Sequence, residues 1–143
     1  MKAISHRANI NGSSPAENHP EQILKAIEAG YDVEVDVRFL NGSWYLGHDN
    51  PDYKVTQNFI DEINEHTWFH CKNLDALKEF DRDINKFFWH QNDDFSLTSN
   101  GYIWTYPKKD ITNKSIVVDL YLLNTINVLP YAICTDYPSL LIK

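Results

Sequence analysis

With 143 residues, 43% of them hydrophobic and 13% aromatic, the chain has the size and apolar content of one packed domain, not of a fibrous or disordered polymer. Its formal net charge of -7 argues against nonspecific binding to nucleic acid or to an anionic membrane surface. No apolar run reaches membrane-spanning length and no leader-like segment opens the chain, so a cytoplasmic protein without membrane insertion is expected. Cys71 and Cys134 each lie inside an apolar run, where buried free thiols are expected.

Lys2 to Arg7 reads as a first strand ending in a His-Arg pair. A polar loop, Ala8 to His19, leads to Pro20, which suits a first helical turn with Asn18 or His19 as its cap. Ile23, Leu24 and Ile27 share one face of that helix, and Gly30 closes it. Next comes the most informative stretch, Tyr31 to Asp49. Val33, Val35 and Val37 alternate with Glu34 and Asp36, the period of a strand with two distinct faces. The valines bury against a neighbouring layer, leaving the two carboxylates side by side on the other face. Like charges at i and i+2 need a counter-charge there, and a divalent cation is the simplest one. Asn41-Gly42 supplies a tight turn, and Trp44 to His48 forms a second strand.

Asn58 to His66 is expected to be helical, Thr67 to Lys72 a strand, and Asn73 the cap of a helix through Leu74, Leu77 and Phe80. Lys86 to Gln91, Tyr102 to Tyr106, Ser115 to Leu120 and Tyr131 to Asp136 read as strands. A helix is expected over Tyr121 to Val128, and Pro138 opens a terminal helical turn. The tally is eight strands, most separated by a helix or a helix-sized gap. That alternation predicts an α/β fold, a minimal TIM-like (β/α)8 barrel with reduced helices, with an open α/β sheet as the alternative.

In such a barrel every strand delivers its carboxyl end to one rim. His6-Arg7, Glu34 and Asp36, His48-Asp49, His70 and Lys72, His90-Gln91, Asp119 and Thr135-Asp136 all fall at strand ends. The residue types suit phosphoryl transfer. Glu34 and Asp36 are hard oxygen ligands for Mg²⁺ or Ca²⁺, Arg7 can fork onto a phosphate, and Lys72 can add a point charge. Two histidines on separate strands can divide the proton transfers.

His6-Arg7, Pro15-Ala16-Glu17-Asn18, Glu34-Val35-Asp36, Asn41-Gly42 and His48-Asp49, followed at the far end by Thr135-Asp136-Tyr137-Pro138, resemble in order and type the motifs of glycerophosphodiester phosphodiesterases. These are TIM barrels of the phospholipase C-like phosphodiesterase superfamily. The resemblance implies hydrolysis of a small phosphodiester, with His6 and His48 as acid and base, Arg7 on the phosphate, and Glu34 and Asp36 on the metal. It also implies that a neighbouring hydroxyl of the substrate can attack first, giving a cyclic phosphate. The chain departs from the pattern in three ways. Ala8 stands where a glycine usually follows His-Arg, His70 replaces the glutamate two residues before Lys72, and the whole is much shorter. His70 as third ligand makes Mn²⁺ or Zn²⁺ conceivable beside Mg²⁺ or Ca²⁺.

The remaining candidates have plainer readings. Glu17 either touches the site or serves as a charge ahead of the first helix. Trp44, Trp68, Trp89 and Trp104 read first as core, with Trp104 and Tyr106 the best placed to contact a bound organic group. His90 reaches the rim, and Asp119 either does so or caps the segment after it. The alternative to an enzyme is a barrel of the same kind that binds a phosphate-bearing ligand without turning it over.

Overall fold

Strand β1 (Lys2–His6) runs through the centre of the sheet, flanked in parallel by β2 (Asp32–Leu40) and by β10 (Ala132–Thr135), the last strand of the chain. The computed structural model describes residues 1–141. In chain order its other elements are α1 (Pro20–Glu28), β3 (Ser43–Leu46), β4 (Tyr53–Val55), α2 (Gln57–Ile63), β5 (Thr67–Cys71), α3 (Leu74–Glu79), β6 (Lys86–Phe88), β7 (Phe95–Leu97), β8 (Ile103–Thr105) and β9 (Ser115–Val118). Single 3-10 turns occupy Asn64–His66 and Pro138–Leu140.

The expected (β/α)8 barrel is not what forms. The ten strands make one mixed sheet curved into a half-barrel, with few helices. Seven strands run parallel in the order β6, β5, β2, β1, β10, β9, β8, and β7 pairs antiparallel outside β8. Among the described residues no ladder joins β6 to β8; Phe88 and Trp104 stack across that gap with ring centroids 4.2 Å apart.

Three local causes account for the departure. First, β3 is no stave of a barrel. Asn41 (φ 50°) and Gly42 (φ 77°) form the tight turn expected, so β3 returns antiparallel along the second half of β2 and β4 adds to its outer edge. Second, β4 and β7 are three-residue strands, too short to show a period. Third, Tyr121 to Val128 forms no helix. Asp119 accepts from the backbone N–H groups of Leu123 (3.1 Å) and Asn124 (3.0 Å), and Leu122 is left-handed (φ 56°), which commits the segment to an irregular path.

The helices that form do so for the expected reasons. His19 caps α1, its Nδ1 accepting from Glu21 N–H, and Pro20 takes the first turn. Thr56 caps α2 and Asn73 caps α3. Together they cover the outer face of β2, where Val33, Val35 and Val37 are fully buried with Ile23, Ala26, Ile60, Ile63 and Phe69. A second apolar cluster fills the concave side: Ile4, Trp68, Phe88, Trp104, Ile116, Ala132 and Cys134. Glu34 and Asp36 share that concave side, one layer above it. Cys71 and Cys134 are free thiols and buried. No helix among the described residues is long and apolar enough to cross a membrane.

Candidate functional site

The site begins with the turn after β1. Arg7 (φ 52°) and Ala8 (φ 65°) are consecutive left-handed residues without being glycine, a conformation that costs about 1–2 kcal/mol per residue. Ala8 stands where the resembling motif has glycine, so this chain carries that cost, offset by what the turn aligns. Arg7 N–H donates to Glu34 Oε2 (3.1 Å), and Asn18 N–H donates to the Arg7 carbonyl (2.9 Å). Asn9 is swung inward, its Nδ2 donating to Glu17 Oε1 (3.0 Å) and Asp136 Oδ1 (2.9 Å).

Asp36 is the hub. It is fully buried, and its carboxylate accepts from Asn18 Nδ2 (2.9 Å). Arg7 Nε lies 3.3 Å from Oδ2, close enough for an ion pair but without making a hydrogen bond. Around Oδ1 stand His70 Nδ1 (3.3 Å), His48 Nδ1 (3.4 Å) and Lys72 Nζ (4.0 Å). Burial alone would raise this carboxyl, but hydrogen bonds from His48 and His70 and the charges of His70 and Arg7 hold it well below the ordinary range. Asp36 thus lies within 4.0 Å of the side-chain nitrogens of Arg7, Lys72, His48 and His70.

His6 and His48 reach this hub by different routes. His6 is the last residue of β1; its Nδ1 sits 2.7 Å from Asp136 Oδ1, which leaves Nε2 3.9 Å from Glu34 Oε2. Burial opposes the imidazolium, but the Asp136 hydrogen bond and the Glu34 charge win and raise its pKa. His48 does not arrive on a parallel strand as expected. The β2–β3 hairpin folds it back beside Asp36, with Gly47 N–H donating to the Asp36 carbonyl (3.1 Å). Gly47 (φ 144°) permits that bend, since a Cβ there would lie 2.0 Å from the Asn50 carbonyl oxygen. Arg38 pins the bend by donating to the carbonyls of His48 (2.8 Å), Asn50 (3.2 Å) and Gly47.

His70, on β5 opposite Asp36, presents Nδ1 to both carboxylates, 3.5 Å from Glu34 Oε1. Its Nε2 lies 3.4 Å from the His90 carbonyl. Burial would lower this imidazole, but its bonds to Asp36 and Glu34 raise it to about 9. Glu34, Asp36 and His70 each offer one ligand atom, all within 4.8 Å of one another. Ligands held at about 2.1 Å from an ion stand roughly 3 to 4 Å apart, so the two carboxylates, and the imidazole once it gives up its Nδ1 proton, fit a divalent cation with small adjustments.

A cavity of about 70 Å³ opens over this centre, lined by His6, Arg7, Glu34, Asp36, His48, His70, Trp104, Tyr106, Val118 and Cys134. Arg7 and His48 also border a wider groove of about 240 Å³, with Ser14, Glu17, Asn18, Asp49 and Tyr53 on its other walls. The other candidates stand back. Lys72 touches only the Asp36 side. Glu17 holds Arg7 (Oε2 to Nη1, 3.2 Å) and accepts from Ser13 Oγ (2.8 Å). His90 lies behind Tyr106, rings stacked at 4.1 Å, with Nδ1 3.1 Å from Ser96 Oγ. Asp119 spends both oxygens on its own loop. Asn9 and Arg38 are partners of the site that pattern reading missed, whereas Asn18 and Asp136 were read within motifs but given no partner. Asp136 was visible as a strand-end acid, but nothing in the sequence paired it with His6.

Comparison of the chain with protein-family models, with curated proteins and with solved structures finds no match. The site therefore stands on its own geometry.

Proposed function

We propose that the chain is a metal-dependent phosphodiesterase acting on a small glycerophosphodiester-like substrate. The observation that carries this reading is the single cavity shared by His6, His48, Arg7 and the Glu34/Asp36/His70 centre. At about 70 Å³ it has room for a few waters or one tetrahedral oxyanion. The wider groove past Arg7 and His48 takes the attached alcohol.

A divalent ion held by Glu34, Asp36 and His70 would neutralise charge on a phosphate oxygen. Arg7, beside Asp36 and with its guanidinium oriented by Glu17, donates to the phosphate. His6 is the proton donor to the leaving oxygen. Asp136 occupies its Nδ1 and favours the protonated ring, so the Nε2 proton is the one available. His48, half-exposed where cavity meets groove, takes the proton from the attacking hydroxyl, whether the substrate's own or water's. Each proton transfer contributes roughly 10²- to 10⁴-fold.

Titration with divalent ions in the presence of a chromogenic phosphodiester tests this reading. Turnover that needs the ion, and that disappears in His48→Ala while ion binding persists, supports it. The competing reading is a binding module without turnover, which the His70 substitution and the small cavity favour. Ion and phosphate binding with no hydrolysis of any diester would establish that module instead.

A further inference from the structure

His70 differs from the other members of the centre in bringing nitrogen, and in how that nitrogen is held. Of its two ring nitrogens, Nδ1 faces Asp36 Oδ1 (3.3 Å) and Glu34 Oε1 (3.5 Å), whereas Nε2 faces the His90 carbonyl (3.4 Å). An ion seated between the carboxylates would take the place of the Nδ1 proton that they hold in its absence, and the His90 carbonyl, which can only accept, would keep the other proton on Nε2. This is the outer-shell arrangement that orients metal-ligating histidines. The ring has little freedom to leave it, because Phe88 stacks on its face at a centroid distance of 4.8 Å. His90 is in turn held by Ser96 and by the Tyr106 ring.

A donor set of one imidazole and two carboxylates does not suit all divalent ions alike. Ca²⁺ takes six to eight oxygens, and Mg²⁺ prefers oxygen and water, whereas first-row transition ions gain from imidazole. We infer that the Glu34/Asp36/His70 centre selects a first-row transition ion, Mn²⁺, Fe²⁺ or Zn²⁺, over Mg²⁺ and Ca²⁺, with His70 Nδ1 as the discriminating ligand. This goes a step beyond the divalent ion of the proposed diesterase and rests on the same centre.

Two measurements on the full chain test it without reference to turnover. The first is calorimetric titration with Mn²⁺, Zn²⁺, Mg²⁺ and Ca²⁺ separately. Mn²⁺ and Zn²⁺ are expected to bind at least tenfold more tightly than Mg²⁺ or Ca²⁺, and His70→Glu is expected to remove most of that preference. The second is pulsed electron paramagnetic resonance of the Mn²⁺-loaded wild type, where a directly bound histidine nitrogen gives a hyperfine coupling. That readout stands even if the variant fails to fold. A preference below tenfold, no nitrogen coupling, or no ion binding overturns the inference. Turnover with Mg²⁺ and no nitrogen coupling would remove this inference and leave the diesterase; Mn²⁺ binding with nitrogen coupling and no turnover would do the reverse.

Discussion

The two halves of the molecule are built differently. Up to Glu79 three capped helices seal the outer face of β2 and β5, and the connections are tied by side-chain hydrogen bonds. Beyond Glu79 the described residues hold no α-helix, and Leu97, Tyr121, Leu123 and Leu129 stand mostly exposed. His6, Arg7, Glu34, Asp36, His48 and His70 all come from the first half. The second supplies Asp136 behind His6 and the wall of Trp104 and Tyr106. Groups that must be placed to a few tenths of an ångström lie where the backbone is braced on both faces.

The sharpest way to break this contrast is at its hub. Asp36→Ala leaves Arg7, His48, His70 and Lys72 facing a void, and removing one partner of a buried ion cluster costs about 3–5 kcal/mol. A large drop in urea midpoint together with complete loss of turnover is expected. Ile60→Ala, in the sealed layer of the first half, should cost about 2–5 kcal/mol by the same measurement. Leu123→Ser, 80% exposed in the second half, should change stability by no more than about 0.5 kcal/mol. Equal costs for these last two would erase the distinction between the halves.

A finer test is at the seam. Burial would raise the Asp136 carboxyl, but hydrogen bonds from His6 and Asn9 and the His6 charge hold it below its ordinary value. A carboxyl depressed in the folded state contributes stability above the unfolded pKa of about 3.9, and that contribution is lost as pH falls through the folded value. Urea midpoints measured from pH 7 down to pH 2.5 should therefore fall less steeply in Asp136→Asn than in the wild type. At neutral pH the variant should be less stable, because His6 loses its charged partner.

What the sequence disclosed, and what it hid, follows the same division. Local periods were legible: the Val33, Val35, Val37 alternation sorted the faces of β2, and Asn41-Gly42 announced the hairpin. The Asn73 cap was legible, and the cap of α1 was narrowed to Asn18 or His19, because capping is a local bond. Closure was not. Counting β3 as a barrel stave produced eight strands and the wrong architecture, although a turn as tight as Asn41-Gly42 allows only an antiparallel return. The helix expected over Tyr121 to Val128 is one that Asp119 and left-handed Leu122 divert. His48 lies beside Asp36, but on a bend set by Gly47 and Arg38. The bonds of Asn9, Asn18 and Asp136 depend on the left-handed turn at Arg7-Ala8, which no residue type there advertises.

The central claim is that one cavity joins two proton-transfer histidines to a cation centre and cleaves a diester. Phosphorus-31 resonance of a glycerophosphodiester incubated with the Mn²⁺-loaded protein addresses it directly. The account predicts conversion of the diester signal to a cyclic phosphate or a phosphomonoester, slowed by about 10²-fold or more in both His6→Ala and His48→Ala. An unchanged diester signal with bound Mn²⁺, or cleavage at the wild-type rate in both variants, would contradict it.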